Sequence, residues 1–240
     1  METQREQLRA NLLRAISHDL RTPLTAISGN AGMLMEKSVS LNENRKQEMY
    51  RSIYDDSMWL VNLTENLLSI TRIETGTLPL RRDAEMIGDI FHEALSHVDR
   101  RAAEHEIRVE LEDDMLMANM DARLIVQVII NIVNNAVKYT PEGSDICLSA
   151  KKENSMVRIE IADNGPGISD EAKQRLFDMF YTVNTGSAGA DSRRGLGLGL
   201  SLCKSIVEAH SGSITVHDNQ PHGSVFSFTL PLEEVKIQNV

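Results

Sequence analysis

With 240 residues, the chain exceeds the roughly 100–200 of a usual single domain and fits two modest domains, each with its own core. Hydrophobic residues at 41% and charged residues at 25% exclude a disordered chain. A formal charge of -10 excludes a protein built chiefly to hold nucleic acid or an anionic membrane, because both would be repelled at long range; it does not exclude one that holds a single mononucleotide through backbone donors, a few cations and a metal ion.

From about Glu2 to Glu74 the chain has only Gly29, Gly32 and Pro23 as breakers, with a short polar interruption at Ser38 to Asn44. This predicts two long helices joined by a turn. Leu13, Leu20, Ile27 and Leu34 recur every seven residues, with Ile16, Leu24 and Ala31 on the same face. Ile53, Leu60 and Leu67 repeat the pattern in the second helix, supported by Met49, Leu63 and Ile70. Such heptads mark a packed seam, and two helices alone leave too much apolar surface open. Pairing of two hairpins in a homodimeric four-helix bundle is the expected completion.

Within the first helix lies Ser17-His18-Asp19-Leu20-Arg21-Thr22-Pro23-Leu24. At about 100° per residue His18 falls nearly opposite the seam and faces solvent, with Thr22 one turn along the same face and Asp19 beside it. Pro23 cannot donate to the carbonyl of Asp19, so a bend is expected there. An imidazole with the reference pKa of about 6.5 is largely neutral and nucleophilic at cytosolic pH, and an adjacent carboxylate can accept the proton of its other ring nitrogen. Taken alone, His18 is equally an ordinary surface histidine.

Thr75-Gly76-Thr77-Leu78-Pro79 ends the helical pattern, dividing the chain into domains at 1–76 and 80–232. An amphipathic helix is predicted from about Met86 to Ala103, then strands at His105 to Leu111 and Leu116 to Met120. A helix from Ala122 to about Tyr139 follows, with strands at Asp145 to Lys152 and Met156 to Ala162 and a short helix from Asp170 to Leu176. A helix from Leu198 to His210 and strands at Ser213 to His217 and Ser224 to Leu230 complete the chain. Strands and helices interleave without regular alternation, which predicts an α+β sandwich of one mixed sheet under a helical layer. Cys147 and Cys203 sit in apolar runs and read as reduced core residues of a cytosolic protein. No apolar run reaches about 18 residues, so the sequence reads as soluble, with any membrane attachment left to parts of a longer parent protein.

Three segments of the second domain stand out chemically. Asn131, Asn134, Asn135, Lys138 and Tyr139 punctuate an otherwise apolar helix. Asn131 and Asn135 share a face one turn apart, where two amide oxygens suit a magnesium ion that keeps waters and shares phosphates; buried amides tying helix to sheet are the plainer alternative. Asp163-Asn164-Gly165-Pro166-Gly167 follows a strand, where a carboxylate can accept from an adenine amine, although alone it is also a plain turn. Gly195-Leu196-Gly197-Leu198-Gly199 opens a helix and offers amide donors at its positive end, without the strand or spacing of a dinucleotide fold.

Together these segments resemble the signature boxes of the histidine kinase family, in order and over almost the whole chain: the phosphoacceptor box at Ser17 to Leu24, the N box at Asn131 to Thr140, glycine boxes at Asp163 to Gly167 and Gly195 to Gly199, and the F box at Phe177 to Tyr181. The run Arg9 to Ile16 is similar to that of KdpD-type potassium sensors. The resemblance implies a Bergerat-type ATP-binding domain that phosphorylates His18, with Asp19 as general base and Thr22 positioning water to dephosphorylate the partner response regulator's receiver domain. It further implies magnesium at Asn131 and Asn135, phosphate at Lys138, adenine at Tyr139 and Asp163, close backbone approach at Gly165 and Gly167, and triphosphate at Gly195, Gly197 and Gly199. The expected setting is the cytoplasmic part of an inner-membrane sensor. One departure is Thr182, where the family commonly carries a basic residue; Arg193 and Arg194 are the nearest substitutes. A nonenzymatic nucleotide-sensing module and another ATPase of the same fold remain as alternatives.

Overall fold

The computed structural model describes residues 20–36, 42–74, 79–182 and 197–233. They form two compact units, the first closing at Leu68 and the second opening at Ser69.

The first unit is a pair of helices, α1 (residues 20–35) and α2 (Glu43–Glu74, whose last turn belongs to the second unit). Pro23 of α1 and Met49, Asp56 and Leu63 of α2 are buried, while Leu20, Ile27, Leu34, Ile53, Leu60 and Leu67 are half-buried along the same seam. The seam is partly polar: the Asn30 amide donates to Ser52 Oγ at 3.1 Å, and that hydroxyl donates to Asp56 Oδ2 at 3.4 Å. Leu24, expected on the seam, is 51% exposed. One hairpin covers only one stripe of each helix, and Leu24 lies off that stripe.

In the second unit come β1 (Asp83–Met86), α3 (Ile87–Ser96), a 3-10 turn (Arg100–Glu104), β2 (Glu106–Leu111), β3 (Met117–Met120) and α4 (Ala122–Tyr139). They are followed by β4 (Asp145–Glu153), β5 (Met156–Asp163), α5 (Asp170–Arg175), α6 (Gly199–Ala209), β6 (Ile214–Asp218) and β7 (Ser224–Glu233). The sheet runs β1-β3-β7-β5-β4-β2, with β6 pairing β7 off this path. Among the described residues only β2 and β4 pair in parallel. This is the expected α+β architecture.

Period-two burial explains the layer. Ile146, Leu148 and Ala150 of β4 and Val157, Ile159 and Ile161 of β5 are buried, and the residues between them are not. Against that face α4 buries Ile125, Val128, Ile129, Ile132, Val133, Ala136 and Val137. Val109 of β2 is 44% exposed because β2 is an edge strand, paired only with β4. The single helix expected from Met86 to Ala103 is instead α3 followed by the 3-10 turn. Asp99 separates them: its carboxylate accepts from the Arg101 amide at 2.9 Å, and its own amide donates to Asn134 Oδ1 at 2.8 Å. Strand β1 was not expected: Asp-Ala-Glu-Met alternates polar and apolar residues, but it is only 4 residues long and has no β-branched or aromatic side chain. The cysteines are free, Cys203 buried as expected and Cys147 only partly so.

His210, at the end of α6, is completely buried. Its Nδ1–H donates to the Ile206 carbonyl at 2.7 Å, and Nε2 accepts from the Asp121 amide at 3.0 Å. Asp121 in turn caps α4 through Leu124 N–H and accepts from Arg81 N–H at 3.1 Å. This histidine therefore ties the end of α6 to the start of α4 only in its neutral form. Burial is the main cause lowering its pKa below 6.5, and the nearby Arg82 guanidinium acts in the same direction. A base with a depressed folded pKa stabilises fully above its unfolded pKa, and that contribution is lost as pH falls from about 6.5 through the folded value. Replacing His210 with Phe should cost about 1–3 kcal/mol at pH 7.5 by stranding the Asp121 amide, and the gap from wild type should narrow at pH 5.5. Urea denaturation at the two pH values measures this, and a gap that widens in acid contradicts the neutral-histidine account.

Candidate functional site

The packed face of α4 determines where its polar residues go. Asn134 is structural, accepting from the Asp99 amide. Asn131, half-buried on another face, is different: its Nδ2 is buried and meets no hydrogen-bond partner among the described residues. Asn135 and Lys138 follow at intervals of about one turn on the same side and are also half-buried.

Asn131 lies against α6, where a Cβ added at Gly199 would come 3.9 Å from its Cγ. One turn further, Cys203 donates to the Val128 carbonyl at 3.8 Å; burial pushes its thiol pKa up to about 12, leaving it neutral. The first turn of α6 has no side-chain cap. Its N-terminal amides and positive end thus lie beside the Asn131 amide, a combination suited to an anion and its counterion. Because the two ends of an amide exchange by a flip, the same side chain can offer its oxygen to a cation. Among the described residues no group of three or more His, Cys, Asp or Glu could hold a metal ion. A divalent ion here would instead be held by amide oxygens, waters and the anion's own oxygens, and Asn131 and Asn135 fit that requirement.

Asp163 ends β5 and is 7% exposed. Its Oδ1 accepts from the amides of Gly165 at 2.9 Å and Ser224 at 3.3 Å. Burial raises the carboxyl pKa, and these two amides pull it back. With Oδ1 committed, Oδ2 is the oxygen left for a ligand donor. The loop through Gly165 and Gly167 abuts the C-terminal end of α4: a Cβ at Gly165 would come 2.6 Å from Thr140 Cγ2. There Lys138 Nζ sits 5.0 Å from the centre of the Tyr139 ring, and Tyr139 is 47% exposed. α4 thus links two subsites, the start of α6 beside Asn131 and the Asp163 loop beside Thr140.

The aromatic segment after α5 adjoins Gly197. Phe177 packs edge-on against Phe226 with centroids 6.4 Å apart, and Arg175 lies 4.7 Å over the Tyr181 ring. Phe180 has φ 65°, and its amide donates to the Gly197 carbonyl at 3.1 Å. Gly197 itself has φ 65°, with the backbone of Tyr181 where a Cβ would project, so glycine is required twice over.

Thr22 is exposed on α1, as expected, and Thr182 is exposed. His18, Asp19, Gly195, Arg193, Arg194 and the segment Thr185 to Asp191 lie outside the described residues, as does the bend expected beside His18. The groups missed in the sequence are those gripping the Asp163 loop from the β6–β7 turn: Asn219 and Ser224 at Asp163 itself and His222 at Gly165. Their composition reads as a turn, but nothing local shows that it meets Asp163.

Residues 120–234 match the family of histidine kinase-, DNA gyrase B- and HSP90-like ATPases. Residues 8–76 match the His kinase A phospho-acceptor domain. An acceptor hairpin followed by this ATPase fold defines the class, and the chain belongs to the histidine kinase family. It is 44% identical over 97% of its length to the sensor protein KdpD of Clostridium acetobutylicum, covering 26% of that protein. It is 32% identical over 96% of its length to KdpD of Escherichia coli, covering 25% of it. The chain therefore spans about a quarter of the length of these curated relatives. The crystal structure of histidine kinase ThkA in complex with response regulator protein TrrA shares the fold with a TM-score of 0.71 and 24% identity, over 96% of this chain and 64% of that one.

The two asparagines should separate experimentally. Asn134→Ala should cost about 1 kcal/mol in urea denaturation by releasing the Asp99 amide, with ATP affinity unchanged. Asn131→Ala should leave stability within about 0.5 kcal/mol and lower ATP affinity at least about tenfold by calorimetry. Parallel losses in both variants would make both amides structural.

Proposed function

We propose that the chain is the kinase core of a sensor protein, transferring the γ-phosphoryl group of ATP to His18 and from there to an aspartate of a response regulator. The observation that carries this reading is the presence of His18 within the matched acceptor region, 8–76, ahead of the matched ATPase region, 120–234. One imidazole nitrogen attacks the γ-phosphorus, the bond to the β–γ bridging oxygen breaks and ADP leaves. Asp19 accepts the proton from the other ring nitrogen.

Asp163 Oδ2 accepts from the adenine amine, and the first turn of α6 with Lys138 holds phosphate oxygens. Asn131 and Asn135 would hold a magnesium ion, which would supply charge neutralisation on the triphosphate. The exposed apolar line Leu24, Tyr54, Val61 and Leu68 supports a homodimeric four-helix bundle. The ThkA–TrrA complex supports a response regulator as partner. Likeness to KdpD supports a potassium-responsive pathway and a cytoplasmic position within a longer membrane sensor. Among the described residues no helix is long and apolar enough to cross a membrane.

Incubation with γ-labelled ATP and magnesium should give an acid-labile phosphate that His18→Gln abolishes while ATP affinity stays near wild type. ATP binding with no label on the wild-type chain would instead identify a nonenzymatic nucleotide sensor. A second pair of variants separates the two activities of the hairpin. Asp19→Asn should lose autophosphorylation by about 10²–10⁴-fold, the range for a general base. Thr22→Ala should keep autophosphorylation within a few-fold and lose most phosphatase activity toward the phosphorylated regulator. Parallel loss of both activities in both variants would show damage to the helix rather than separate roles.

A further inference from the structure

The β6–β7 turn, residues 219–223, holds the Asp163 loop from outside. Asn219 Nδ2 donates to the Asp163 backbone carbonyl at 2.8 Å. The turn is itself closed by Asn219 N–H to the Gly223 carbonyl at 3.1 Å and by Asn219 Oδ1 accepting from Gln220 N–H at 2.9 Å. Gly223, at φ 118°, presses its backbone against the Asp163 carbonyl where any side chain would project. His222 Nδ1–H donates to the Gly165 carbonyl at 3.2 Å. On the other side, Asn164 accepts from the Asp145 amide at 3.0 Å and donates to the Asp145 carboxylate at 3.1 Å.

These contacts fall on the peptides that flank the Asp163 carboxylate. A carboxylate that reads one ligand amine must be held to within about half an ångström, and that precision comes from the groups that fix its backbone. The two carbonyls held, those of Asp163 and Gly165, bracket the turn that aims the carboxyl group. A turn that merely closed a sheet edge would need only its own internal bonds. Asn219 and His222 direct theirs outward, to the loop.

We infer that Asn219 and His222 are positioning residues for base recognition: they fix the Asp163 carboxylate and thereby set the preference for a purine bearing an exocyclic amine. This rests on the reading of Asp163 as the acceptor of the adenine amine.

The test compares calorimetric affinities for ATP and for inosine triphosphate, which has a keto oxygen in place of the amine and the same triphosphate. The full chain is used with magnesium present, and thermal melts confirm folding. Asn219→Asp keeps the side-chain shape and the acceptor for Gln220 N–H but loses the donor to the Asp163 carbonyl. Its added charge acts on both nucleotides alike, so the ratio of affinities isolates positioning. The preference for ATP should fall about fivefold or more, as expected for one lost hydrogen bond, with inosine triphosphate affinity moving far less. His222→Ala should shift the ratio in the same direction, and His222→Asn, which restores a donor, should recover it. This second pair carries the test if Asn219→Asp does not fold.

Asp163→Asn distinguishes the two levels of failure. If it loses the preference while the Asn219 and His222 variants keep it, the turn has no part in recognition and the inference falls alone. If wild type shows no preference, or Asp163→Asn retains it, the adenine reading of Asp163 fails and the inference falls with it.

Discussion

The burial of one face of α4 is the constraint on which the second unit depends. Ile125, Ile129, Ile132 and Val133 are completely buried, and each such side chain stabilises by about 1.5–3 kcal/mol on leaving water. With that face fixed, the 3.6-residue period assigns every other position. Asn134 is turned toward the 3-10 turn, where it meets Asp99. Asn131 is turned toward the start of α6, beside Gly199. The apolar core therefore holds the polar groups in place before any ligand arrives, and the buried Asn131 Nδ2, without a partner among the described residues, is tolerated because the helix cannot rotate to bring it to one.

Asp163 reaches a similar result through sheet register. Its antiparallel partner on β7 is Ser224, whose amide supplies the second donor to Oδ1. A slip of one residue in that pairing would turn the carboxylate to the opposite face and separate it from both the α4 terminus and the β6–β7 turn. The alternation along β7 is what resists the slip, since Phe226, Phe228 and Leu230 would exchange faces with Ser227 and Thr229. Recognition chemistry at the strand end is thus secured by hydrophobic packing along the strand.

Much of this was legible in the sequence. The helix expected from Ala122 to about Tyr139 has those bounds, because its apolar period and the Asp121 cap agree. The strands of the central sheet fall within a few residues of expectation, since their alternation is strong. What escaped was decided by contacts distant in the chain. The break after α3 depends on Asp99 meeting Asn134, and the grip on Asp163 depends on Asn219 and His222 returning from the far end of the domain. Asn131 and Asp163 could be chosen from residue type and order, but which asparagine of the cluster was spoken for could not. In the hairpin, Ser52 and Asp56 are polar, yet they occupy the seam with Asn30, Asp56 at the heptad position between Met49 and Leu63.

That polar seam bears on how the first unit is completed. Buried polar groups in a helical interface cost stability relative to apolar ones and are best attested as devices that specify register. The inward stripe of α2 mixes Met49 and Leu63 with Asp56, whereas the outward stripe, Tyr54, Met58, Val61 and Leu68, is apolar or aromatic. The hairpin is thus set in register from within, while a large share of its unspent apolar surface lies outside. A partner hairpin covering that surface would supply the stabilisation that the polar seam withholds, which favours the proposed bundle. It also leaves the acceptor face open. Residues two apart on an α-helix point about 200° away from each other, so a partner that covers Leu24 faces nearly opposite to Thr22, which is exposed. In the proposed bundle, the partner's side and the side that carries Thr22 would therefore be different sides of the same turn.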